Sequence, residues 1–123
     1  MNGGQDGLAA PWILSQSCSV RKDARMILEH ALLSIRPVRE LDFEAAFAEA
    51  RPIISSMPGF RTVSLSRCLE RPGNYLLLVE WERLEDHVEG FRRSPEFEQW
   101  KQLLHHFYDP APTVEHFVEV ATN

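Results

Sequence analysis

The spacing of apolar residues changes along the chain, and each change marks an element. In residues 26–36, Ile27, Ala31, Leu33 and Ile35 share one alternating set, while Leu28, His30 and Leu32 share the other. Both sets are largely apolar, which predicts a strand covered on both faces, ended by Pro37 because proline lacks the donor a ladder needs. Residues 41–57 switch to helical spacing, with Phe43, Ala46, Phe47, Ala50, Ile54 and Met57 in one stripe. Pro52 interrupts that stripe without ending it, so a kink or restart is expected there, and Pro58 with Gly59 stops the helix. Residues 60–69 alternate again, residues 70–73 (Glu-Arg-Pro-Gly) read as a turn, and residues 74–81 are apolar almost throughout. These two strands form an antiparallel hairpin.

Helical spacing then returns twice. Leu84, Val88 and Phe91 fall at i, i+4 and i+7. Ser94 and Pro95 restart the chain as N-cap and first helical residue, and Phe97, Trp100, Leu104 and Phe107 form the next stripe. Residues 109–112 make a stiff Pro-rich linker, and residues 113–121 form a fourth strand, with Val114, His116, Val118 and Val120 on one side. The order βα, hairpin, broken helix, β is the split βαβ, or ferredoxin-like, α+β plan with a four-stranded antiparallel sheet. Its helices cover one sheet face. The other face keeps bulky apolar residues, so a second copy is expected to pack against it, giving a homodimer with face-to-face sheets. The helical side is where the chain is expected to form a hollow lined by aromatics.

Composition narrows the classes. At 123 residues with 44% hydrophobic and 25% charged positions, one globular domain is expected. A net charge of −5 argues against a nucleic-acid partner. No apolar run is long enough to span a bilayer, and the N-terminus makes a poor signal peptide, so no membrane partner is expected. Cys18 and Cys68 lack motif spacing, which suggests free thiols, a reducing compartment and a cytoplasmic location, with Cys68 a small buried hydrophobe. Residues 1–25 show no period and read as a flexible extension carrying one sticky patch, Trp12, Ile13 and Leu14; the domain proper is residues 26–121. Five histidines without HxH, HExxH or CxxC spacing make no metal site, and neither a dinucleotide fingerprint nor a P-loop is present.

Several residues together resemble the antibiotic biosynthesis monooxygenase (ABM) domain family. They are Met57, Pro58, Gly59 and Phe60; residues 75–82 ending in Trp81 and Glu82; His87; Phe91 and Arg92; Ser94, Pro95, Glu96 and Phe97; Trp100; and Val114 to Phe117 read as Val-Glu-His-Phe. The resemblance covers residues 26–121. It implies a dimeric α/β barrel with a pocket between helices and sheet in each subunit. It also implies one of several activities, including cofactor-free oxygenation of phenols and quinols, and haem degradation. The haem-degrading branch depends on an Asn, a Trp and a His, and the matching positions here hold His30, Gly90 and Trp100, so no haem role carries over. In the cofactor-free oxygenases, pocket residues cluster on and just after the third strand, which here means near Trp81 and His87.

Oxygenation without flavin, haem or metal requires the substrate to supply the electrons. The protein must then bind an electron-rich ring, take a phenolic proton, exclude water and admit O₂. Histidine suits the proton step because it titrates near neutrality, so His30 and His87 are the catalytic candidates; Trp81, Phe91 and Trp100 are the candidate walls for a small aromatic substrate. Plainer readings stand beside these. His87 sits among Glu85, Asp86 and Glu89 and reads equally as a solvated histidine, His30 as a satisfied interior or interface residue, and the aromatic stripe as simple core. His105 and His106 flank the stripe and should be exposed, and His116 is placed to meet a partner subunit. The functional expectation is a cofactor-independent monooxygenase of a phenolic or quinol-type molecule. The alternatives are a non-catalytic binding or dimerisation module, and an isomerase or cyclase using a similar pocket.

Overall fold

A computed structural model of the chain describes residues 26–121. The elements run β1 (Ile27–Ser34), α1 (Glu40–Ser55), β2 (Phe60–Arg67), β3 (Asn74–Trp81), a π-turn (Asp86–Phe91), α2 (Pro95–Leu104), a 3₁₀ turn (His105–Phe107) and β4 (Thr113–Val118). The sheet order is β2-β3-β1-β4, with β3 antiparallel to both β1 and β2. This is the α+β ferredoxin-like arrangement that the alternation of elements predicts. The extension of residues 1–25, with Cys18 and the Trp12 patch, lies outside the described residues. Among the described residues, no helix is long and apolar enough to cross a membrane.

One sheet face carries the core. Ala31 and Leu33 of β1 and Ile35 just after it, with Tyr75, Leu77, Val79 and Trp81 of β3, are buried against Phe43, Phe47, Ala50 and Ile54 of α1 and Trp100 and Leu104 of α2. Phe43 is the hub. Its ring lies 5.1 Å from Tyr75, 5.8 Å from Phe107 and 6.1 Å from Tyr108, each edge-on, the geometry that aromatic quadrupoles favour. The contacts continue from Phe47 to Trp100, Phe91 and Trp81 at 6.0, 5.7 and 5.9 Å. A line of rings thus joins α1 to the end of β3.

Four local expectations need correction. α1 does not restart at Pro52; it runs on to Ser55, since a missing donor in the last turn interrupts little of the ladder. The second strand stops at Arg67, not residue 69, so Cys68 is only half-buried, its thiol 3.7 Å from Glu70, and Leu69 is exposed. Arg67 is instead drawn to Glu44 of α1 by two hydrogen bonds of 2.7 and 2.9 Å, and the Tyr75 hydroxyl donates to the same carboxylate at 2.6 Å.

The third correction concerns residues 84–91. Leu84, expected on the buried stripe, is 40% exposed, whereas His87 is buried beside Phe91. The Arg92 N–H bonds the His87 carbonyl, five residues back, at 2.9 Å. His87 and Phe91, four residues apart, share a side in either an α-turn or a π-turn; the wider turn rotates Leu84, seven residues before Phe91, away from that side. Its entry is fixed by Asp86, whose carboxylate accepts from the Arg83 N–H at 3.1 Å and lies against Gly59. Gly59 has φ +82° and no Cβ, and a side chain there would collide with Asp86. Fourth, Phe107 lies not in α2 but in the 3₁₀ turn after it. There the Arg36 N–H bonds the Phe107 carbonyl at 2.9 Å and the Asp109 N–H bonds the Ser34 carbonyl at 2.8 Å, which tucks Tyr108 beneath the end of β1.

Candidate active site

Strand alternation decides what faces the helices. Glu29 belongs to the same set as Ala31 and Leu33, so it points into the protein and is 6% exposed. Its partner across the ladder is Val79, and the indole of Trp81, diagonal to it, donates Nε1–H to Glu29 Oε1 at 2.9 Å. His87 lies parallel to the Trp81 indole, with ring centroids 5.5 Å apart and planes 18° apart, and is 2% exposed. Its Nε2 stands 3.3 Å from Glu29 Oε1, and its Nδ1 is 2.8 Å from Nε2 of His116 on β4. Glu29, His87 and His116 therefore form a line from the interior to a half-buried position on the last strand. Both ring nitrogens of His87 are engaged along that line, so these lone pairs do not converge as metal ligands would.

Burial sets the protonation of this group. Removal from water pushes the Glu29 carboxyl above its ordinary range, with the Trp81 hydrogen bond and the Arg92 charge offsetting part of the rise. The same burial, with Arg92 and His116 nearby, lowers His87 to about 3 and also lowers His116. His87 is thus a neutral imidazole. The 3.3 Å separation from Glu29 agrees, being longer than an imidazolium–carboxylate hydrogen bond.

Glu29 opens onto a cavity of about 410 Å³, within the size range of small-molecule sites. Ala31, Leu33 and Leu77 make its sheet wall, and the small Ala31 side chain leaves room in mid-strand. Phe91, Phe97, Trp100 and Tyr108 supply the aromatic wall, with His87 beside Glu29. Arg92 and His105, both exposed, also line it. Among the described residues, Glu29 Oε2 has no hydrogen-bond partner and Arg92 no ion pair. Tyr108 is also held well above its ordinary ionisation range by burial and the neighbouring Glu29.

The candidate residues divide as follows. His87, Phe91 and Trp100 line the cavity. Trp81 does not: it is wholly buried behind Glu29 and His87 and holds the carboxylate in place. His30 falls on the opposite sheet face, where its ring meets Phe117 edge-on at 5.3 Å, because it is one residue out of step with Glu29. His116, read from the sequence as placed to meet a partner, is half-buried and lies within hydrogen-bond distance of His87. His105 is exposed as expected yet also lines the cavity, beside Tyr108 at 5.2 Å. Glu29, Arg92 and Tyr108 escaped the sequence reading, although one signal for Glu29 was present: a carboxylate in step with Ala31, Leu33 and Ile35.

Comparison with known proteins gives the family and the fold. The family model for antibiotic biosynthesis monooxygenase matches residues 26–103. The protein YczJ of Bacillus subtilis is 59% identical over 95 residues, which cover 77% of this chain and all of YczJ. A candidate antibiotic biosynthesis monooxygenase from Bordetella bronchiseptica has a solved structure with TM-score 0.76 and 38% identity, covering 79% of this chain and 99% of that one. SnoaB, a cofactor-independent oxygenase from Streptomyces nogalater, shares the fold at TM-score 0.63 and 19% identity, covering 81% of this chain and 96% of its own.

The depressed His87 gives a stability prediction. Between the ordinary histidine value of 6.5 and about 3, the unfolded chain binds a proton that the native ring refuses, so native stability falls as pH falls through that window. Glu29, raised in the native state, contributes with the opposite sign. Urea unfolding from pH 7 to pH 4 should show His87→Phe losing less stability than the wild type. Equal losses would mean that His87 is not buried neutral.

Proposed function

Because the chain belongs to the antibiotic biosynthesis monooxygenase family, we propose that it is a cofactor-independent monooxygenase of a phenolic or quinol-type aromatic molecule, with Glu29 accepting the phenolic proton. The observation that carries this reading is a buried carboxylate, one oxygen unpartnered among the described residues, lining a cavity walled by aromatic rings. Fold likeness to the cofactor-independent oxygenase SnoaB supports it at the level of architecture.

The chemistry balances without a bound redox group. A phenol gives its proton to Glu29 and becomes an electron-rich phenolate. The phenolate reduces O₂ and forms a C–O bond; loss of the ring hydrogen and cleavage of the O–O bond leave a quinone carbonyl and water. One oxygen atom enters the ring, the other leaves as water, and the substrate supplies all the electrons. Phe91 and Trp100 hold the ring by edge and offset contacts, and the Arg92 guanidinium stabilises the phenolate. A carboxyl raised above its ordinary range is a stronger base, whereas His87, held near 3, is a weak one. His87 thus orients Glu29, and His30 lies too far out of step to take part.

The outer sheet face supports a homodimer. Leu28, Leu76 and Leu78 are half-buried there, while Leu32 and Phe117 remain 58% and 48% exposed. A second copy, packed face to face about a two-fold axis, would cover them.

Purified protein given O₂ and a hydroquinone or naphthol should consume O₂ and yield a product enriched by one oxygen atom from ¹⁸O₂. Glu29→Gln should lower kcat by roughly 10²- to 10⁴-fold, the usual loss for a general base. Thermal stabilisation by such ligands with no O₂ uptake would instead identify a binding module, and an isomeric product an isomerase or cyclase. Light scattering should give twice the 14.2 kDa chain mass for the wild type and the single mass for Leu32→Glu; a monomeric wild type would remove the dimer.

A further inference from the structure

We propose that Glu29, His87 and His116 form a proton wire that connects the cavity with the outside through linked tautomer changes of the two imidazoles. The inference rests on Glu29 as the proton acceptor proposed above, but its geometry is independent of any substrate. A carboxylate 6% exposed needs a route by which its proton exchanges with solvent; Glu29 lines the cavity, and among the described residues only its Oε1 has polar contacts. That oxygen faces Trp81 and His87. The indole is a donor only and carries nothing onward. His87 differs: one ring nitrogen lies 3.3 Å from Glu29 Oε1, the other 2.8 Å from His116 Nε2, and His116 is half-buried.

Imidazole accepts at one nitrogen while releasing from the other, so the chain has two polarities on the same heavy-atom positions. With Glu29 ionised, His87 carries Nε2–H toward the carboxylate and His116 carries Nε2–H toward His87 Nδ1. With Glu29 protonated on Oε1, both rings are reversed and carry their proton on Nδ1. Passage from the second polarity to the first moves the Oε1 proton to His87 Nε2, the His87 Nδ1 proton to His116 Nε2, and the His116 Nδ1 proton to water. Glu29 loses one proton, water gains one at His116, and no residue becomes an ion on the way except Glu29; protonation of Glu29 runs the same steps backwards.

The surroundings favour transfer without a stable imidazolium. Both rings lie below ordinary histidine basicity because of burial and the Arg92 charge. Arg92, His105 and Tyr108 are the other charged or titratable groups that line the cavity around Glu29 and His87. Stacking on Trp81 holds the His87 plane fixed, so reversal needs proton movement and no ring flip.

The test is ¹⁵N NMR of histidine-labelled full-length protein, in which ring couplings distinguish Nδ1–H, Nε2–H and imidazolium, titrated with no substrate present. His87 and His116 should stay neutral and exchange Nδ1–H for Nε2–H together, at a single midpoint, as Glu29 ionises. In Glu29→Gln, both rings should keep one tautomer across that range. Fixed tautomers in the wild type, separate midpoints, or an imidazolium at His87 would overturn the wire. Since no turnover is measured, that failure is distinct from failure of the oxygenase reading, which the O₂-uptake experiment decides.

Discussion

A carboxylate taken out of water is the constraint on which the rest of this structure depends. Alternation along β1 turns Glu29 to the same side as Ala31 and Leu33, beneath two helices and away from solvent. A group so placed needs hydrogen-bond donors, and nearby elements supply them. β3 brings its terminal tryptophan diagonally across the ladder, and the chain after it winds into a π-turn that swings a histidine inward. The register of the hairpin, the glycine that admits Asp86, and the five-residue hydrogen bond at Arg92 all converge on holding the Trp81 N–H and the His87 ring at one carboxylate oxygen. Among the described residues the second oxygen has no partner.

The same sheet is thus divided into two faces of different character. Toward the helices it is covered by a line of aromatic rings, with one cavity at Glu29 and its neighbours and another between α1 and the second strand beside Tyr75. Away from the helices it presents leucines and Phe117, with His30 among them. One residue of register separates His30 from Glu29, and that step separates a surface contact from the floor of the cavity.

The strands, α1 and the Ser94 cap were legible because each rests on local rules: period two, period 3.6, and an N-cap side chain that accepts from Phe97 N–H at 3.2 Å. The resemblance to the family was legible in the motif running from the hairpin tryptophan to Ser94 and Pro95. Site chemistry was less so. An α-helical wheel put Leu84 inward because it assumes the tighter turn, whereas the chain closes a five-residue hydrogen bond; His87 stood as a solvated alternative because Glu85, Asp86 and Glu89 surround it in sequence. His116 reaches His87 only through the placement of β4 beside β1, a pairing between segments far apart in sequence. Glu29 was visible by parity, but only the Trp81 indole and the His87 ring, which come from other elements, give an acidic residue on an apolar set its meaning.

Titration of the Glu29 carboxyl by ¹³C NMR tests the account most directly. A midpoint clearly above the ordinary glutamate value of 4.5 is expected, with the Trp81 indole proton responding at the same pH. A midpoint at or below that value, with an indifferent indole, would mean that Glu29 is solvated and that the cavity is not built around it.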